Sequence, residues 1–457
     1  MRERRVLLTL ALVTTVTAVV SSLGAPLVPA VAARYEVAVA SAQWALTATL
    51  LAGAVATPVV GRLGNGRLRR PVVLGGLATV LAGCVLAALP LGFGALVAGR
   101  ALQGVGLALV PLALAAARDT WRGDRLPRVL GLLSVTTVAG AGVGYPVTAL
   151  VAEHLGLAGA YWFGAALVAI TLILAVLDLP VARDSAVQPV DVPGALLLSL
   201  GMTAALLAVS QGDAWGWLAP VTLGLLAVGA ALLAGWVRRT LRTGHPLVDL
   251  RLARRPGVVG PHLVAMALGA SMYALLTLVV VVVQAEPGTG ATSGDDGYGL
   301  GLGIAAAGLV LVPYSVASVA GNQVARRVAR RLGPGVVLPV GCAAFAVALG
   351  QVALSHQRLW QVLVAMALGG LGSGFTFSSI PALLVPHVPR TETASALAFN
   401  QLMRYLGFSV GSALSVALLV ALGDDDAALR ATLGSFALLC LAAGLVNGAT
   451  AARSRRA

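Results

Sequence analysis

The chain has 457 residues, 58% hydrophobic side chains, 11% charged ones and a mean hydropathy of +0.93. A soluble domain carries about 25% charged residues, and a disordered chain needs low hydrophobicity, so both classes are excluded. The net charge of +14 rests on 31 basic residues, all arginine, in short clusters between apolar runs. That arrangement offers no basic face for a duplex and excludes a nucleic-acid partner.

Apolar runs of roughly 20 residues, each long enough to cross a bilayer as a helix, recur along the whole chain. In chain order they predict fourteen spans: 6–28, 41–60, 72–89, 93–117, 129–151, 158–177, 192–209, 217–237, 258–283, 300–320, 336–354, 359–385, 394–422 and 431–446. The first follows Met-Arg-Glu-Arg-Arg and imitates a signal peptide, but the many later spans read it as an uncleaved helix. Cys84, Cys342 and Cys440 each fall inside an apolar run, without disulfide or metal spacing. Neither a cofactor nor a metal is expected.

Arginine placement sets the orientation. Arg100 and Arg404 fall inside spans. Of the loop arginines, all but Arg34, Arg358 and Arg430 lie on the side of the N-terminus. The positive-inside rule then places both termini in the cytoplasm, with the chain in the cytoplasmic (inner) membrane. No acidic residue lies at mid-span. The outer loops hold Glu36, Glu153, Asp213, Glu286, Asp295, Asp296 and Asp424 to Asp426. A core without carboxylates suits a largely apolar cargo.

Residues 61–70 (GRLGNGRLRR) follow the second span, and 321–331 (GNQVARRVARR) follow the tenth. Each pairs a glycine at a helix end with an arginine cluster. Six spans thus form a first half, 1–180, and six a second half with a short basic tail, 256–457. An inserted pair with its cytoplasmic loops occupies 181–255. Weak internal symmetry of this kind marks secondary transporters. Without lysine there is no P-loop, so ATP is not the expected energy source.

At these residues the chain resembles the major facilitator superfamily, whose loop signature is roughly Gly-x-Leu-Ala-Asp-Arg-x-Gly-Arg-Arg. Trp44, RALQGVG (100–106), GAGVGYP (140–146) and HPLVDLRLARR (245–255) make it similar to the fourteen-helix drug:proton antiporters within that superfamily. The resemblance implies an all-α integral membrane protein with the major facilitator fold: two six-helix halves plus two inserted helices. It also implies a monomer that moves a small amphipathic molecule against protons through the lipid bilayer, and no enzyme. The alternatives are uptake or exchange of a polar metabolite, and transport without proton coupling. The first would need more charged and amide groups in the spans than are present.

The expected site residues follow. Gly61, Asn65, Arg69, Arg70 and Asp119 form the gating loop, where Arg62, Arg67, Arg69 and Arg70 can pair with Asp119. In the family an aspartate of this loop meets the start of the helix matching 394–422. Here that position is Asn65, and Leu68 replaces a family glycine. Arg100 with Gln103, and Arg404 with Asn400 and Gln401, are polar groups inside spans. They need partners or a wet cavity, and the family ties the first pair to proton transfer. His262, about one turn into its span, titrates in the right range for a proton role. Gly140, Gly142, Gly144 and Pro146 match the antiporter pivot; the same small residues also suit plain helix packing. Trp44, Tyr145, Tyr314 and Phe375 are candidates for lining an apolar cavity, as are Tyr273, Phe377 and Phe399. Gly369 to Gly374 read as packing. His154, His245, His356 and His387 read as boundary residues without a role. Residues 19–29, which match the first helix's usual acid-bearing stretch, offer only Ser21 and Ser22. A proton would then need Glu36, Glu153, Asp178 or a relay without carboxylates.

Overall fold

In lipid a backbone must satisfy its own hydrogen bonds, so long apolar runs of this kind fold as helices. The computed structural model describes the chain except residues 1, 24–26, 38, 43, 124, 181–188, 190, 256, 290–296 and 455–457. Its helices are α1 (Arg2–Ser22), α2 (Val28–Tyr35), α3 (Val39–Ala42), α4 (Trp44–Leu63), α5 (Arg69–Ala88), α6 (Phe93–Gly104), α7 (Leu109–Thr120) and α8 (Arg125–Asp178). There follow α9 (Val192–Trp215), α10 (Pro220–Thr240), α11 (Leu250–Ala253), α12 (Val259–Gln284), α13 (Ile304–Leu332), α14 (Val337–Leu354), α15 (Leu359–Leu384), α16 (Thr393–Ala421) and α17 (Asp426–Ser454).

Among the described residues, twelve helices are long and apolar enough to cross a membrane. The spans expected at 129–151 and 300–320 are not among those twelve. The first falls in the first limb of α8, and the second is helical from Ile304 on, in α13. The two limbs of α8 part at Gly156, whose φ of 71° and ψ of 179° leave the helical region and require glycine there.

The chain divides into two units. The first comprises residues 1–208, 223–253 and 388–402; the second comprises 209–222, 254–387 and 403–457. In the first, α1 packs along α8, and α6 packs against α4 and α5. The α5–α6 crossing is glycine on glycine. A Cβ on Gly83 would lie 2.6 Å from the Gly99 carbonyl oxygen, and one on Gly99 2.7 Å from that of Gly83. Small residues let the backbones touch, which is how helices gain contact energy where lipid supplies no hydrophobic drive. Helix α9 is fastened at its start by Asp191, whose Oδ1 accepts from the Gly194 amide (3.1 Å) and Arg239 Nε (2.8 Å). α10 buries only 17% of its most apolar stretch, so most of its surface is left for lipid.

In the second unit, α12, α14, α15 and α17 enclose a core that includes Leu268, Leu275, Phe345, Leu349, Met366 and Leu433. The glycines of α15 pack as expected, with Gly370 and Gly374 against the α13 backbone at Tyr314 and Ser318. All three cysteines are free and buried. Beyond α12 the chain folds back on that helix, the Leu300 and Leu302 amides donating to the Val282 and Val283 carbonyls, each at 2.9 Å.

Candidate functional site

Arg100 is 0% exposed and forms the polar centre of the first unit. Its Nε donates to the Ala45 carbonyl (2.9 Å), Nη1 to the Val20 carbonyl (3.1 Å) and Gln103 Oε1 (2.6 Å), and Nη2 to the Ser21 carbonyl (3.4 Å). Gln103 passes the contact on, its Nε2 donating to the Gly83 carbonyl at 3.1 Å, while Thr49 Oγ1 donates to the Arg100 carbonyl at 3.0 Å. One planar guanidinium therefore joins α6 to the end of α1 and the start of α4, with Gln103 adding α5. The carbonyls of Val20 and Ser21 are accessible because α1 ends there, where backbone acceptors lack helical partners. The cost of a charge inside a span is met by these converging dipoles.

The loop at residues 61–70 docks on the start of α16, inside the same unit. Arg62 Nη1 lies 2.8 Å from Glu392 Oε1 and 2.9 Å from Oε2, and Asn65 Nδ2 donates to Ser395 Oγ at 2.7 Å. Gly61 faces the Ala398 methyl with no room for a side chain. Arg118 completes the contact, donating to the Val388 carbonyl (2.8 Å) and Thr393 Oγ1 (2.6 Å). The arginine cluster meets Asp119 through Arg69, which also donates to the Gly64 (3.1 Å) and Ala115 (3.3 Å) carbonyls. Arg62 goes to Glu392, Arg70 donates to the Val176 carbonyl at 2.7 Å, and Arg67 is exposed. The reason is geometric: Arg62 ends α4 and so points at α16, whereas Arg69 opens α5 beside α7. A cavity of about 390 Å³ adjoins this pairing, lined by Leu10, Val73 and Leu179 with Glu3, Arg70 and Asp119 among its charged groups.

Asn65 is buried, and its Oδ1 has no hydrogen-bond partner among the described residues. An aspartate there would accept from Ser395 and add a negative charge near the positive end of α16. Asn65→Asp should therefore favour the closed latch by about 1 kcal/mol, roughly fivefold in population. Crosslinking between cysteines placed on the loop and at the start of α16 measures the shift; an unchanged yield would deny the loop a gating role.

In the second unit, Arg404 is half-buried among aromatic rings. Its guanidinium carbon lies 5.0 Å from the Phe377 ring centre and 5.8 Å from those of Tyr405 and Phe408. Such contacts hold a cation by the ring quadrupole, each with about 0.5–2 kcal/mol. Asn400 and Gln401 are buried on α16, and His262 is buried on α12. Tyr314 OH donates to Ser373 Oγ at 2.5 Å. Trp44 is half-buried at the start of α4, whereas Phe375 is a core residue packed with Ala325 and Val337. In the pivot motif, Gly140 lets α8 meet α1, since a Cβ there would lie 2.6 Å from the Thr15 carbonyl oxygen, and Gly144 is buried. The side chains of Gly142, Tyr145 and Pro146 lie outside the described residues, as do Asp295 and Asp296. Glu36 and Glu153 are exposed, and Asp178 accepts from Thr9 Oγ1 at 3.0 Å.

Sequence reasoning missed Glu392, Ser395, Arg118 and, in the second unit, a buried pair of His356 with Asp426. Residues 386–393 read as a connection, and no residue in it signals that Glu392 docks on a loop 330 residues earlier.

Apolar helices around buried, carbonyl-bonded arginines, with a charged latch at one end, define a polytopic membrane carrier. The sequence profile of the Major Facilitator Superfamily matches residues 10–294 and 262–456, and the chain belongs to that family. It is 26% identical over 406 residues to the tetracenomycin C resistance and export protein of Streptomyces glaucescens, covering 87% of this chain and 72% of that one. It is 26% identical over 391 residues to a multidrug resistance protein B homolog of Mycobacterium tuberculosis, covering 82% and 68% respectively. The crystal structure of the human organic anion transporter MFSD10 superposes with a TM-score of 0.71 at 14% identity, over 98% of this chain and 100% of that one. At that identity the likeness speaks for the fold.

Proposed function

We propose that this protein is a secondary active exporter of amphipathic drugs or secondary metabolites, driven by proton antiport. The observation that carries the proposal is the latch. A charge pair and a hydrogen bond tie the end of α4 to the start of α16, in a place built to be made and broken during a transport cycle. The relatives named for antibiotic export and multidrug resistance support the cargo class, as does the absence of carboxylates from the middle of the spans. The chain crosses the cytoplasmic (inner) membrane fourteen times as a monomer. The two limbs of α8 count separately, α13 is included, and both termini lie on the arginine-rich cytoplasmic side. The pair α9 and α10 is an insertion between two six-helix halves.

Arg100 and Gln103 hold the polar core of the first half, with Arg404, Asn400 and Gln401 as the polar groups of the second. Gly140, Gly142, Gly144 and Pro146 form the pivot. Trp44 and Tyr314 contribute to the apolar lining of the path. The test is the accumulation of labelled drugs, ethidium among them, in cells with and without the protein. Expression should lower steady-state accumulation, and a protonophore should abolish the difference. Equal accumulation across the panel would refute drug export; a difference that survives the protonophore would refute proton coupling.

A further inference from the structure

Spans without a central acid leave open where a driving proton is carried, and the second unit holds a buried pair suited to it. His356 follows the end of α14, and Asp426 is the first residue of α17; both side chains are 1% exposed. His356 Nδ1 lies 2.8 Å from the Val352 carbonyl oxygen. A carbonyl only accepts, so Nδ1 carries a hydrogen. His356 Nε2 lies 2.8 Å from Asp426 Oδ1. Without a proton between them, an imidazole lone pair would point at a carboxylate oxygen, which is repulsive at that separation. At that separation the two atoms form an ion pair when His356 is protonated. Arg430 contacts the other carboxylate oxygen, so the imidazole, the carboxylate and the guanidinium form one cluster.

The pair sits where three connections meet, at the end of the unit opposite the arginine cluster of α13. Tyr298, in the segment after α12, donates its hydroxyl to Asp424 Oδ1 at 2.6 Å, and Gln357 Nε2 donates to the Gly297 carbonyl at 3.4 Å. Burial, then the hydrogen bond to Asp424, raise the Tyr298 phenol above its ordinary value, so it remains a donor. The Asp425 carboxylate accepts from the Ala428 amide at 2.7 Å and caps α17. The charged and titratable groups on the surrounding described elements are thus Glu286, Tyr298, Arg358, Asp424, Asp425 and Arg430.

We propose that His356 and Asp426 form a proton-binding site whose occupancy holds these three connections together, and that the proton exchanged there drives export. The coupling half of this statement rests on the exporter reading above. On deprotonation the Nε2 proton passes to water, and a neutral imidazole is left facing an ionised carboxylate. The start of α17 then separates from His356 and the connections loosen. By the positive-inside orientation the site opens to the outer side, where a proton enters during antiport.

Nitrogen-15 NMR of histidine in the purified full-length protein, reconstituted in nanodiscs, tests the site directly. Among the five histidines, the resonance lost in His356→Gln should show both nitrogens protonated at low pH and lose the Nε2 proton as pH rises. Asp426→Asn should move that transition. A His356 that stays unprotonated at Nε2 at every pH, or titrates identically in Asp426→Asn, overturns the proposal. In proteoliposomes loaded with ethidium, both variants should keep downhill flux while proton-driven uphill accumulation falls at least about tenfold. Undiminished uphill accumulation overturns the coupling role. If the wild-type protein moves no ethidium or other drug of the panel, the exporter reading falls, while the titration still decides whether the site binds a proton.

Discussion

Glu392→Ala should release the start of α16 from the gating loop and shift the resting population away from the latched state by roughly a hundredfold or more. Arg62 is nearly buried, its side chain 3% exposed, and Glu392 is 19% exposed. Removing one partner of such a pair leaves a desolvated charge without compensation, which costs about 3 kcal/mol or more. The hydrogen bond from Asn65 to Ser395 and the two from Arg118 remain, so the contact loosens and the unit stays folded. Arg62→Ala should act in the same direction. The double exchange, Arg62→Glu with Glu392→Arg, should recover part of the loss, because the pair is then restored with opposite polarity. Spin labels at the exposed positions Arg67 and Arg390 report the distance across the latch. A narrow short distance in the wild type should become broad and longer in each single variant. Unchanged distributions in both would mean that the latch is held by the uncharged contacts alone.

Arg100→Ala should abolish active efflux while leaving the protein inserted, since removing a charge from a span makes insertion easier. The guanidinium reaches the Ala45 carbonyl with Nε and the Val20 and Ser21 carbonyls with its two terminal nitrogens. Hydrogen bonds from a charged donor contribute about 1.5–3 kcal/mol each, so the junction of α1, α4 and α6 loses its main polar tie. Arg100→Lys should impair efflux at least about tenfold, because a single ammonium lacks the planar fork that spans both helix ends. Efflux from proteoliposomes with matched amounts of folded protein provides the measurement. Near-normal efflux by the alanine variant would reduce Arg100 to a tolerated packing residue. Loss in the alanine variant alone would show that charge suffices without the fork.

The arrangement of Arg100 also bears on how it acts. Its partners include three backbone carbonyls and the Gln103 side-chain amide, a set that ties three helices together. That set suits Arg100 to holding the helices of the first unit in place.

Membrane passage and the family were legible in the sequence, because each is a local demand of the bilayer or of a short motif. Apolar length and a ten-residue signature need no knowledge of the fold. The tie between Arg100 and Gln103 was legible for the same reason, since residues three apart share a helix face. The resemblance already pointed position 65 at the start of the helix 394–422, but the partner residues themselves were decided by the tertiary structure. Arg62 finds Glu392 and Asn65 finds Ser395, each 330 residues away, because α16 begins beside the end of α4. It also decided that His356, an ordinary loop histidine by sequence, is buried against Asp426 where α14 ends and α17 begins. Burial turns a common residue into a consequential one, since desolvation obliges a charge to find its counterpart.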